Sequence, residues 1–202
     1  DAFLVTWFGG GFVPLLGSAV ELSVINDTTV LGAPFVDNVV MPAFFSKAVG
    51  TTSVVSYHHS IPSNAANDYL IANQAAVGGS NPDLFDADGM NAALLAIEGL
   101  KASSGDASAA ALIAAMEGLE FEGPKGTIYV RPEDHVAIQD MYIVKILNVD
   151  DPDFKFFELV ETTRPEPPCL LPEEMQSRCG SLPIGSLTGE VLTPPEPEPA
   201  AG

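Results

Sequence analysis

The order of apolar runs and breaks predicts an α/β protein built around a parallel sheet. FLVTWF, residues 3–8, is an almost unbroken apolar run with β-branched and aromatic members, which breaks at Gly9-Gly10-Gly11 and gives way to helical spacing. A helix over about 13–24 then leads into a second strand at TTVLGAP, residues 28–34, and strand, helix, strand with short connections is the signature of parallel pairing. Further on, Met90, Ala93, Leu94, Ile97 and Leu100 repeat at the three-and-four spacing of a helix face that packs on a sheet.

Each element follows from local chemistry. Pro14 stands early in the first helix, where its missing N–H costs no intrahelical bond. VGTTSVVSY has the β-branched character of a strand, and SIPSN ends in polar residues suited to cap a helix over 65–77. GGSNPDLFD is a turn cluster before the helix that carries MNAALLAIEGLK, with Asp88, Asn91 and Glu98 off its apolar stripe. ASAAALIAAMEGL makes the next helix, closed at Gly118 by a left-handed cap. FEGPKGTIYVRPEDH reads as a turn leading into a strand, and QDMYIVKILNV and FKFFELVE as two more strands separated by VDDPD. From Thr162 onward, Pro and Glu replace large apolar residues, which predicts an extended and mostly solvated tail. No period of 20–50 residues repeats.

Eight Lys and Arg stand against 27 Asp and Glu, a formal charge of -19 that would repel phosphate backbones and anionic lipid surfaces, so nucleic acid is not an expected partner. No stretch reaches the ~20 apolar residues of a membrane span, and no basic, then apolar, leader precedes the first strand. Cys169 and Cys179 are spaced to close a disulfide loop in an oxidising compartment; two unrelated thiols are the alternative, and no His stands near them to complete a metal site. His58 and His59, adjacent in a strand, would face opposite sides and fit a loop or hinge better than a shared metal ion. His135 belongs with Glu133 and Asp134 in a polar turn. Neither a G-x-S-x-G elbow nor a phosphate loop is present, and the glycine turn lacks full G-x-G-x-x-G spacing. No catalytic residue, metal or cofactor is therefore assigned, and the expectation is a protein that is not an enzyme.

FEGPKGTIYVRPEDHVAIQDMYIVKI, preceded by AALIAAMEGL and by NPDLFDADGMNAALLAIEGLKASSGD, resembles the C-terminal half of the solute-binding proteins of branched-chain amino acid ABC transporters, the leucine/isoleucine/valine-type or type I periplasmic binding proteins. The resemblance runs from about Asp1 to about Val149. It implies parts of two Rossmann-like lobes joined by hinge crossings, with the N-terminal half and the signal peptide absent. Residues 1–50 would belong to the distal lobe, 51–140 to the proximal lobe, 141–161 to strands returning to the distal one, and 162–202 to the Pro/Glu-rich tail with its disulfide.

In such sheets ligands sit beyond the carboxyl ends of the strands. Trp7, Phe8, Gly9, Gly10 and Gly11 after the first strand, and Pro34 and Phe35 after the second, occupy that position. The glycines would let a ligand approach the backbone and the aromatics would wall it, or else the aromatics are core and the glycines only turn the chain. Tyr57, at a crossing, would line the cleft or pack the hinge. In the family both loops contribute ligand contacts, and in the leucine-type receptors the second carries an acid that pairs with the ligand's ammonium; here Pro34 and Phe35 stand there, with Asp37 as a shifted substitute. The ligand expected is thus a branched-chain amino acid, an amide, an aromatic acid or a related small solute.

What the resemblance implies is an extracytoplasmic receptor, periplasmic or cell-surface associated, that closes on its ligand and is read by a membrane permease. A sensory domain of the same fold is the alternative, and an α/β enzyme a more distant one. Taken alone, residues 1–202 are expected to leave strand edges and an apolar face open, and so to self-associate.

Overall fold

The computed structural model describes residues 2–4, 11–26, 30–32, 38, 41–42, 49–50, 52–62, 64–186 and 191–192. Its main sheet has five strands in the order β1 (Ala2–Leu4), β2 (Val30–Gly32), β3 (Thr52–Val55), β7 (Met141–Ile146), β8 (Phe157–Thr163). β1, β2 and β3 run parallel, with α1 (Phe12–Glu21) lying between β1 and β2 in sequence. β3 pairs antiparallel with β7, and β7 antiparallel with β8, so the expected parallel sheet is a mixed one. For β8 the reason is chain length: a loop of ten residues, 147–156, joins β7 to β8, room for a hairpin but too little for a crossover helix and a parallel return.

The sheet buries one face. In β7 the alternate residues Tyr142, Val144 and Ile146 point inward, as the two-residue period of a strand requires, and Val55 of β3 joins them. Ala19 of α1, Ile25, Met41, Ile61 and Phe156 complete this core together with residues from the next two helices. α1 ends at Glu21, three residues before the expected boundary, where Leu22 and Ser23 turn and Ser23 takes a positive φ.

Between β3 and β7 the chain builds a second body of α2 (Ala65–Ala76), α3 (Leu84–Ala102), α4 (Ala109–Met116) and a small antiparallel sheet of β4 (Glu120–Gly123), β5 (Gly126–Val130) and β6 (Ala137–Ile138). Asn64 caps α2 by accepting from the N–H groups of Ala66 and Asn67. Asp83 and Asp86 form a reciprocal capping box at α3, and Gly118, at φ +79°, ends α4 in the left-handed region. Phe121, Ile128 and Val130 of the small sheet pack with Leu94, Leu95 and Leu119 as a second core.

The face α3 presents differs from the stripe read in the sequence. Its buried residues are Leu84, Ala87, Asn91 and Gly99, whereas Ile97 is 49% exposed and Leu100 42%. Small residues decide this. A side chain at Gly99 would run into Met116 of α4, and one at Gly123 would run into Asn91, so α3 sits flush on both neighbours through positions that lack bulk.

The tail also departs from expectation. Arg131, chelated by Asp134 at 2.8 and 2.6 Å, donates to the Pro167 carbonyl at 2.8 Å, and Arg164 donates to the carbonyls of Thr127 and Ile138 and to Asp140. A 3-10 helix (Glu173–Cys179) follows, and Arg178 reaches Glu117 and the Pro132 carbonyl. Cys169 and Cys179 are joined as a disulfide, and β9 (Ile184–Gly185) pairs with β10 (Val191–Leu192). Residues 164–186 are thus docked on the small sheet by arginines that satisfy backbone carbonyls, a contact that needs no large apolar residue. His135 sits in its polar turn at positive φ, but its partner is Glu117, since Asp134 is taken by Arg131.

Candidate functional site

Because β1, β2 and β3 are parallel neighbours, their carboxyl ends lie side by side at one end of the sheet. That is where a crevice forms in sheets of this class. Trp7, Phe8, Gly9, Gly10, Pro34, Phe35 and Asp37 fall outside the described residues. Gly11 is described: it is exposed, adopts φ +93° and is the residue from which α1 starts, a conformation open to glycine and strained for other residues.

The site is best defined past the end of β3. Tyr57 is buried and its hydroxyl donates to Asn67 Oδ1 at 2.7 Å, while Asn67 Nδ2 donates to the His59 carbonyl at 3.0 Å. Burial, with Asp86, Tyr142 and Asp83 nearby, pushes the Tyr57 phenol above its ordinary range, so it stays a neutral donor. Tyr57 therefore ties the segment leaving the main sheet to α2.

His58 and His59 are not on opposite faces. β3 ends at Val55, so strand alternation no longer applies, and the two rings stack with centroids 4.7 Å apart. His58 is 3% exposed; Ser60 Oγ lies 2.6 Å from its Nδ1, and its Nε2 has no hydrogen-bond partner among the described residues. Burial pushes His58 down to about 4, His59 adds to the effect, and the Phe157 backbone opposes it. His59 is lowered as well, by burial and then by Lys155, against Asp151. Both imidazoles are neutral at pH 7, and no cluster of three His, Cys, Asp or Glu suited to a metal occurs among the described residues.

Around these rings three parts of the chain meet. A small cavity of about 20 Å³ is lined by Asn38, Tyr57, His58, His59, Asp83 and Phe157 among others. Asn38, six residues after the end of β2 in sequence, donates to the Asn81 carbonyl at 3.1 Å, and Asn81 donates to the Asp153 carbonyl at 2.6 Å. Asn38, the entry to α3 and the β7–β8 turn are thereby linked in one polar chain. Sequence reading missed Asn38 and Asn81, since an asparagine in a turn cluster carries no sign of a distant partner.

The comparisons agree with this architecture. An ABC-type branched-chain amino acid transporter protein from Rhodopseudomonas palustris is 29% identical, with a TM-score of 0.63 over 81% of this chain and 43% of its own. An amino acid ABC transporter substrate-binding protein from Pseudomonas fluorescens has a TM-score of 0.67 at 21% identity, over 83% of this chain and 45% of its own. A solute-binding protein from Rhodopseudomonas palustris, solved with 3,4-dihydroxybenzoic acid, has a TM-score of 0.63 at 24% identity, over 81% of this chain and 45% of its own. The chain thus spans less than half the length of these structures. No match to it is found among curated proteins. No described helix is long and apolar enough to cross a membrane. The family profile described as periplasmic binding protein matches residues 1–151. With a type I α/β architecture and a match over three quarters of its length, the chain belongs to the periplasmic binding protein family.

Proposed function

We propose that these residues form part of an extracytoplasmic receptor of an ABC importer, which binds a small solute without changing it. Residues 1–50 and 141–161 would build one lobe and 51–140 the other, with the solute held at the carboxyl ends of β1, β2 and β3 by Trp7, Phe8, Gly9, Gly10, Gly11, Pro34 and Phe35, and with Tyr57 at the crossing. The observation that carries this reading is the junction past β3. Two segments, residues 56–64 and 139–140, pass between the main sheet and the second body, and the Asn38, Asn81 and Asp153 chain links the two as well. Chain crossings of this kind are where a hinge lies in ligand-driven closure. The permease that reads the closed form, and a periplasmic or cell-surface location, follow from this role.

The solute class is a small amino-acid-like molecule, amide or aromatic acid. Among the related structures are a branched-chain amino acid transporter protein and proteins solved with benzoate and hydroxybenzoates, and the absence of an acid at Pro34 and Phe35 removes the need for an ammonium group on the ligand. A thermal-shift and calorimetric panel of branched-chain amino acids, small amides and benzoates tests the proposal. One class is expected to raise the melting temperature and give saturable heat; a flat response to all three overturns it.

A further inference from the structure

Lys125 stands at the turn of the β4–β5 hairpin and is only 2% exposed. Its partner is the wrong kind for an ammonium group: Nζ lies 3.9 Å from Met141 Sδ, and no carboxylate lies within 4.0 Å of it among the described residues. The other buried cation, Arg131, shows what such a group ordinarily acquires, a carboxylate gripped at two points. An unpaired charge in this position is costly, so a partner that it lacks within the fold is one it can gain from outside.

The surroundings define that partner. Lys125 lines a cavity of about 280 Å³ together with Ile61, Pro62, Asn64, Gly126, Asp140, Tyr142 and Thr162. The volume falls just below the ~300 Å³ at which drug-sized sites begin, which limits the occupant to a small molecule. Ile61, Pro62 and the Tyr142 ring offer apolar wall, and Thr162 brings a hydroxyl-bearing residue. Two acids act on Lys125, Asp88 of α3 from outside the cavity and Asp140 from its wall, the latter already engaged by Arg164 at 3.2 Å. One positive charge, beside an acid that is itself paired with an arginine, accepts a single negative charge and disfavours a second.

We infer that this cavity is a binding site for a small organic monocarboxylate, held by a charge-assisted hydrogen bond from Lys125 with its apolar body against Ile61, Pro62 and Tyr142. It is separate from the crevice residues at the ends of β1 and β2, and it rests on no part of the transport proposal. Its walls include both segments that pass between the main sheet and the second body, so an occupant touches Ile61 and Pro62 on one and Asp140 on the other.

Burial lowers the Lys125 ammonium to about 8, against the pull of Asp88 and Asp140, so its protonation can be followed near neutral pH. The test is a pH titration of the Lys125 13Cε resonance in the full chain, in sodium acetate and in sodium chloride of equal ionic strength. Its signal is assigned by its loss in Lys125→Met. Acetate at ten times its dissociation constant is expected to raise the midpoint by about one pH unit, because it binds the protonated form alone. Superimposed titrations overturn the site. Lys125→Met is expected to lose the acetate-dependent rise in melting temperature and to be no less stable than the parent in chloride; retention of the acetate effect overturns it equally. If Lys125→Met does not fold, resonances assigned on the parent decide the matter. Because the readout is Lys125 itself, a solute binding in the crevice moves the melting temperature without moving this midpoint.

Discussion

At the residue scale, the junction past β3 is held by a few buried polar groups whose loss can be measured singly. Tyr57→Phe removes the hydroxyl donor to Asn67 Oδ1 and leaves that oxygen buried, at an expected cost of about 1–3 kcal/mol in urea unfolding; an unchanged midpoint would show the bond to be idle. His58 gives a pH dependence of known sign. Its folded-state value near 4 lies below the unfolded value of 6.5, so the unfolded chain binds the extra proton in between. Stability contributed by the neutral ring is full above pH 6.5 and falls by roughly 3 kcal/mol as pH drops to 4. The measurement is the difference between the parent and His58→Gln across that window, which cancels the common titration of carboxylates. Equal slopes would refute it. The stacking of the histidine pair was not legible in the sequence, since it depends on where β3 stops. The aromatic and glycine positions proposed to touch solute lie outside the described residues, with Gly11 and Tyr57 the exceptions.

At the element scale, helix boundaries were the most readable part of the chain. Asn64 and Gly118 each act through their own neighbours, so the chemistry that ends a helix lies within a few residues of the end. Asp83 extends the same point: replacing it with Ala removes the Oδ1 acceptor for Phe85 and Asp86 N–H, while the residue-83 N–H and Gln74 still donate to Asp86, and α3 is expected to lose about 1 kcal/mol by thermal melting. A change below the error of the melt would mean that water caps the helix as well. Which face of α3 turns inward was not readable. An apolar stripe reports where bulk is, whereas Ala87, Gly99 and Gly123 fix the approach by having none, and that is visible only when both partners are known.

At the scale of the whole molecule, apolar surface remains open. Leu22 is 76% exposed, Val77 75% and Ile97 49%, and β1 stands at an edge of the five-stranded sheet among the described residues. The chain is therefore expected to self-associate with rising concentration in sedimentation velocity runs, and a single monomer species across a hundredfold range would contradict that. Composition could not reveal that the proline-rich end is docked, because its anchors are three arginines reaching carbonyls more than twenty residues away in sequence. The covalent ring closed between Cys169 and Cys179 has a practical corollary. Arg178 lies inside it on an accessible 3-10 turn, so trypsin cutting at that bond would release nothing: the nicked protein would migrate intact on a gel until reductant separated a short peptide from the remainder.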